Sequence, residues 1–201
     1  MLSPHRHVID SVAASPLAMV ITNPRRADNP IEVANAAFCE LTGYAEDEVL
    51  GRNCRFLAGE QTEPWISAEI RRALQERRSV LVDILNFRRD GTAFRNGVMI
   101  APLFDDAGEL AFFLGSQVDL GAAGSTALAV RQARSRSLVA ALPLRQRQVL
   151  EAMATGLLNK QIAFALGIAE KTVKMHRALL LDRLGVGTSA EAVRIAVEAG
   201  L

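Results

Sequence analysis

The chain has 201 residues, 50% of them hydrophobic and 22% charged, with a formal net charge of +1. That length exceeds the needs of one small domain, no run is long and apolar enough to span a bilayer, and His5, Arg6 and His7 lack the apolar core of a signal peptide, so a soluble, cytoplasmic protein is expected. Two cysteines, Cys39 and Cys54, are too few for a disulfide scaffold and have no metal-ligand spacing, which excludes a structural zinc site and leaves no metal expected.

The small net charge hides a division. Residues 1–120 hold 12 Arg and no Lys against 17 Asp and Glu, a net of −5, whereas residues 121–201 hold 11 Lys and Arg against 5 acids, a net of +6. The C-terminal part is therefore the candidate partner of a polyanion.

In chain order, Val8 to Ala18 sets Val8, Val12 and Leu17 at helix-like spacing and predicts a short helix in an N-terminal extension, residues 1–17. Ala18 to Thr22 is a β-branched run ended by Asn23-Pro24, a strand and its turn, and Ile31-Glu32-Val33 alternates as a second strand. The period turns helical over Asn35–Leu41 and Glu46–Leu50, with Gly43 and Gly51 as breaks. The next run, Gly51-Arg52-Asn53-Cys54-Arg55-Phe56-Leu57-Ala58-Gly59, sets a thiol between an amide and a guanidinium. A cationic neighbour such as Arg55 lowers a thiol's pKa, whereas apolar surroundings raise it and leave an inert buried side chain; the residues alone leave both readings open.

Ser67 to Gln75 places Ile70, Ala73 and Leu74 on one helical face, with Arg71 and Arg72 either a solvated face or an anion site. Ser79–Phe87 and Thr92–Leu103 read as strands joined across Asp90-Gly91, a hairpin signal. Residues two apart share a face, so Ile84 and Asn86 lie together, as do Phe94, Asn96, Val98 and Ile100. Either asparagine alone could merely end a strand; two on one sheet face fit a planar ligand whose edge has donors and acceptors. Leu110–Leu120 is the last strand, with Phe113, Gly115 and Gln117 alternating inward and a glycine that permits close approach.

Gly51 through Leu57, Ile84-Leu85-Asn86 through Asn96, and Phe113-Leu114-Gly115-Ser116-Gln117 resemble, in order and spacing, the motifs of the light-oxygen-voltage (LOV) photoreceptor domains, a flavin-binding branch of the PAS fold. The likeness covers about residues 18–120. It implies a flavin cofactor, FMN with FAD or riboflavin as alternatives, and a reversible covalent bond from Cys54 to the flavin C4a after blue-light absorption. It further implies that Asn86 and Asn96 bind the polar edge of the ring and that Gln117 faces N5 as the hydrogen-bond switch. Arg55 and Arg71 would lie near the phosphate, Asn53 and Gln61 beside the ribityl and phosphate path, and Thr22, Asn29, Leu57, Ile70, Leu74 and Phe113 would line the pocket. One departure is Ala58, where most relatives have glutamine.

Residues 121–141 read as a linker: a flexible Gly121-Ala122-Ala123-Gly124-Ser125 break, then a helix from Thr126 to Ala141 with Leu128, Arg131 and Ser135 on one side. It is a spacer or a helix that docks on the sheet. Residues 142–201 are helical throughout. A plain bundle would satisfy the spacing, but Gln148–Ala154, Asn159–Leu166 and Lys171–Leu184 with a tight Gly167-Ile168 turn also meet the needs of a helix-turn-helix, and Thr188 with Glu191 forms a capping box for a fourth helix.

The run Arg145 to Val186 resembles the LuxR-type DNA-binding domain. The resemblance implies double-stranded DNA as partner, with Lys171, Thr172, Lys174, Met175, His176 and Arg177 facing it and Lys160 on a phosphate. Ala169 replaces a common serine cap. The fourth helix, through Ala192, Val193, Ala196 and Val197, would form a homodimer or bury against the first domain. The expected fold is α+β: a PAS/LOV antiparallel sheet with flanking helices, then an all-α, four-helix LuxR-type domain. The expected function is a blue-light-regulated transcription factor, monomeric in the dark and dimeric when lit. A flavin-based redox or small-molecule sensor is the alternative, and no acid/base pair points to an enzyme.

Overall fold

The computed structural model describes residues 6–201; His5 and the start of the expected N-terminal extension lie outside the described residues. Its first helix, α1 (Arg6–Ala13), precedes β1 (Ala18–Thr22) and β2 (Ile31–Ala34). Short helices α2 (Ala36–Thr42) and α3 (Glu46–Val49), a 3-10 turn over Cys54–Leu57, and α4 (Pro64–Gln75) follow. Strands β3 (Val80–Phe87), β4 (Ala93–Phe104) and β5 (Leu110–Gln117) complete one antiparallel sheet in the order β2-β1-β5-β4-β3. Helix α4 begins three residues earlier than the apolar pattern predicts, because Pro64 has the backbone preset for a first helical turn.

The register fixes which side chains share a face. Ile84 pairs with Asn96 and Asn86 with Phe94 across β3 and β4, Ile100 pairs with Gly115 across β4 and β5, and Val20 with Gly115 and Thr22 with Phe113 across β1 and β5. Directly paired residues point the same way. Asn86, Asn96, Phe113, Gly115 and Gln117 therefore lie on one inner face, under the helices between β2 and β3. Asn35 ties this layer together: its carboxamide accepts from the N–H of Met19 and of Phe38, both at 3.0 Å, and donates to the carbonyls of Val12, Ser15 and Leu17.

The outer face is covered by the C-terminal half. The glycine-rich stretch expected to be a flexible break is a single 3-10 turn (Gly121–Ala123) leading straight into α5 (Gly124–Ala140). Gly121 and Gly124 take φ of 60° and 44°, so these glycines turn the chain where their abundance reads as freedom. Helices α6 (Leu144–Ala154), α7 (Asn159–Leu166), α8 (Glu170–Leu184) and α9 (Ser189–Ala199) follow. The start of α9 is capped by Thr188, whose hydroxyl accepts from the Glu191 N–H at 3.3 Å and donates to the Glu191 carboxylate at 2.6 Å. α8 has no side-chain cap at Ala169.

Leu128, Ser135 and Val139 are the buried stripe of α5, which packs along α9. Met19, Ile21, Met99 and Leu114 of the outer sheet face share one hydrophobic core with Leu150, Val193, Ala196 and Val197. A second joint is backbone against backbone: a Cβ on Gly156 would stand 2.3 Å from the Pro102 carbonyl oxygen, and the Phe104 N–H donates to the Gly156 carbonyl at 3.3 Å. No helix among the described residues is long and apolar enough to cross a membrane.

Replacing Asn35 by Ala leaves two backbone N–H donors and three carbonyls without this buried partner. The expected loss is about 2–4 kcal/mol of unfolding free energy, read as a lower urea midpoint; an unchanged midpoint would show that other groups or water replace the carboxamide.

Candidate functional site

The inner sheet face, the Cys54–Leu57 turn and α4 enclose a cavity of about 230 Å³. Thr22, Asn29, Asn53, Cys54, Arg55, Leu57, Ile70, Arg71, Leu74, Asn86, Asn96, Phe113 and Gln117 all line it. Gln61 does not: it is exposed on the turn after Gly59, whose N–H is held by the Thr62 hydroxyl at 2.9 Å. Val20, Ser67, Ile84, Val98, Ile100 and Gly115 line the cavity too. The period-two pattern of the strands marks most of these, whereas nothing in the sequence marks Ser67. At Gly115 a Cβ would meet Val20 Cγ2 at 2.9 Å, so the glycine keeps this part of the wall flat.

The cavity's polar groups are only partly paired. Asn96 Nδ2 donates to Asn86 Oδ1 at 2.9 Å, and Asn86 Nδ2 donates to the Leu85 carbonyl at 3.1 Å. Asn29 Oδ1, Asn96 Oδ1 and Gln117 Oε1 are buried with no partner among the described residues. Buried amide oxygens are normally satisfied. Three in one flat, largely apolar cavity define a site that calls for a ligand with donors along its edge.

Cys54 packs against the cluster of Phe38, Val49 and Leu57, and burial pushes its thiol up to about 12. Of the two influences on this thiol, desolvation therefore outweighs the neighbouring cation. The physical reason is that the Arg55 guanidinium turns away, into an exposed ion pair with Asp28. Asn53 holds the same loop, donating to the Asp28 carbonyl at 2.6 Å and accepting from the Arg55 N–H at 3.0 Å. Arg71, also exposed, stands at the cavity wall with no acidic partner among the described residues.

In the helical half, α7 and α8 are joined across Gly167, which takes a φ of 64°. Lys160, Lys171, Lys174 and Met175 are exposed, and Thr172 and His176 are half-buried. Arg177 departs from the expectation that it faces DNA: its guanidinium donates to Asn159 Oδ1 and, at 2.7 Å, to Ser189 Oγ, stapling α8 to the starts of α7 and α9. Ala192, Val193, Ala196 and Val197 are all buried, under the outer face of the sheet.

Two family models match the chain: a PAS domain over residues 16–122 and the luxR family of bacterial regulatory proteins over residues 140–196. Among solved structures, the light state of the blue-light photoreceptor Aureochrome1 LOV is 40% identical, with a TM-score of 0.53, covering 55% of this chain and 85% of that one. The chain belongs to the LOV branch of the PAS domains. A light-oxygen-voltage domain from work on a flavin analogue is 36% identical, with a TM-score of 0.57, over 65% of this chain and 95% of that one. A blue-light-activated histidine kinase of Rhizobium johnstonii is 49% identical over 104 residues, 52% of this chain. The chain spans only 30% of that kinase's length. After its LOV domain this chain carries the LuxR-type domain instead.

The LOV sheet meets the LuxR-type domain through a residue that sequence reasoning missed. Arg194 of α9 has no exposed surface. It donates to the Ser116 carbonyl at 3.1 Å, to Ser116 Oγ at 2.9 Å and to the Gly97 carbonyl at 3.1 Å, while its Nε donates to Glu198 Oε1 at 2.8 Å. Glu198 is also paired with Arg131 at 3.1 Å and accepts from the Ser135 hydroxyl at 2.8 Å. Burial draws Arg194 down to about 10, so it remains a cation at neutral pH. The only sign of it in the sequence is an arginine four residues before a glutamate on an otherwise small, apolar helix face.

A thiol held near 12 has a thiolate fraction of about one in ten thousand at pH 8. Carboxamidomethylation of Cys54 by iodoacetamide, followed by mass spectrometry in the dark, should rise steadily beyond pH 10. A plateau near pH 9 would show that burial does not hold the thiol up.

Proposed function

We propose that this chain is a blue-light-regulated transcription factor. FMN is the chromophore that the cavity suits, double-stranded DNA is the partner, and the cytoplasm is where the two meet. The observation that carries the reading is the coincidence of Cys54 with three unpartnered buried amide oxygens in one cavity, on a sheet whose opposite face covers α9. Asn96 and Gln117 offer acceptors, and Asn86 and Asn96 a linked amide pair, to the polar edge of a flavin ring. Arg71 stands at the wall where a terminal phosphate would meet a guanidinium donor, and Arg55 would join it by exchanging Asp28 for the phosphate. FMN, when bound, supplies blue-light absorption and the ring carbon to which a thiol adds.

The chain's own groups do the rest. Cys54, protonated at neutral pH, brings both a sulfur nucleophile and the proton that must be placed. Gln117 has a carbonyl and an NH2, so turning its carboxamide over exchanges acceptor for donor without moving the backbone far. Its neighbour Ser116 faces the other side of the sheet and holds Arg194. A change at Gln117 is thus one residue from the contact that keeps α9 covered. With α9 covered, Ala192, Val193, Ala196 and Val197 are not available to a second copy; with α9 free they form a homodimer face that sets two recognition helices on DNA. Shifting such an equilibrium takes a few kcal/mol, which a rearranged buried hydrogen bond and the burial of a small apolar face supply.

The purified protein should be yellow, bleach under blue light and recover in darkness, and Cys54→Ala should abolish the bleaching; a variant that still bleaches and recovers identically removes Cys54 from the mechanism. Light scattering should give a monomer in the dark and a dimer under illumination, with DNA bound more tightly when lit. Equal mass and equal DNA affinity in both states would overturn the reading.

Arg194→Gln removes charge-assisted bonds to the sheet, while Glu198 keeps Arg131 and Ser135. The expected result is at least about tenfold tighter DNA binding in the dark, checked by fluorescence anisotropy. Unchanged dark affinity would show that the apolar contacts alone keep α9 in place.

A further inference from the structure

A second cavity, of about 310 Å³, lies between the sheet and the helix-turn-helix. Its two walls differ in chemistry. The sheet side and α9 contribute Leu103, Leu114 and Val193, whereas α7 and α8 contribute Lys160, Lys174 and Arg177. Arg177 is the unusual member. It is half-buried, yet both of its hydrogen-bond acceptors, Asn159 Oδ1 and Ser189 Oγ, are neutral. No carboxylate among the described residues pairs with it, and burial draws its pKa down with nothing to offset it. Lys160 likewise has no acidic partner, while Lys174 is paired with Glu170 at 3.3 Å and Asp106 is the only other acid on the wall. A cation withdrawn from water without a counter-charge is costly, and an anion supplied from outside relieves that cost.

We propose that this cleft binds a medium-chain carboxylate, its head against Arg177 and Lys160 and its tail along the apolar sheet wall. The positive ends of α7 and α9, whose first turns at Asn159 and Ser189 also line the cleft, favour the same charge. The site exists only while both walls face each other, so its ligand binds the closed arrangement and stabilises it by mass action. It also occupies Lys160, which the proposed DNA interface needs. The chain thereby takes a chemical input that opposes opening. This inference rests on the closed arrangement and not on the photochemistry, so its test needs no light.

The full chain, kept dark, is titrated with sodium decanoate by isothermal calorimetry and thermal melting. Saturable one-to-one binding with a raised Tm is expected. Lys160→Glu should weaken it by about tenfold and Asp106→Asn should tighten it; both side chains are exposed, so both variants keep the fold. Decanol and inorganic phosphate, each carrying half of the ligand's chemistry, should bind at least about tenfold more weakly. Non-saturable uptake, decanol or phosphate binding as tightly as decanoate, or indifference to both charge changes would overturn the assignment.

Discussion

A guanidinium with no exposed surface joins the two halves of this molecule. Arg194 reaches from α9 to two backbone carbonyls and a hydroxyl on the outer face of the sheet, and its charge is balanced within its own helix by Glu198. Burying such a pair costs several kcal/mol per ion unless nearly every donor is used, which is the case here for most of them. The arrangement is demanding in geometry and modest in net energy. That combination suits a contact that, in the proposed switch, holds in one state and lets go in another. The carbonyls it grips belong to Ser116 and Gly97, the chain neighbours of Gln117 and Asn96, whose amides face the cavity on the opposite side.

The sheet is thus a thin partition with chemistry on both faces. A strand alternates its side chains, so a residue committed to the cavity is followed by one committed to the interface. Displacing the backbone at one position is felt at the next, and no relay of intervening side chains is needed. The apolar core shared by Met99, Leu114, Val193 and Val197 supplies most of the buried surface, but it is not directional. Direction comes from the hydrogen bonds of Arg194 to Ser116 and Gly97, with Glu198 and Ser135 holding the guanidinium's counter-charge in place.

Much of this was legible in the sequence. The alternation through Ile84, Asn86, Asn96 and Ile100 gave the face of the cavity, because strand geometry leaves no other choice once the Asp90-Gly91 turn sets the pairing. The helices of the C-terminal half were legible from their period and from Gly167. What escaped was whatever depends on contacts between distant segments. Whether Arg55 acts on Cys54 stays open in the sequence, because the contact that draws its side chain away, with Asp28, comes from a distant segment. Arg177 looked like a DNA contact, yet Asn159 and Ser189 turn it inward. Gly121 and Gly124 looked like slack and are turns, since composition does not reveal the sign of φ. Arg194 was invisible as a latch because its partners lie some 80 to 100 residues earlier in the chain.

The meeting of Gly156 with Pro102 carries a different lesson. There the halves meet main chain to main chain, with a carbonyl oxygen where a methyl group would have to go and the Phe104 ring beside it. Such a seam leaves no room for a side chain at Gly156, so a substitution there has to move the two main chains apart. Any larger residue at this position would therefore favour arrangements in which the two halves are held less closely. The closeness of the two halves at this point is set by a single missing carbon.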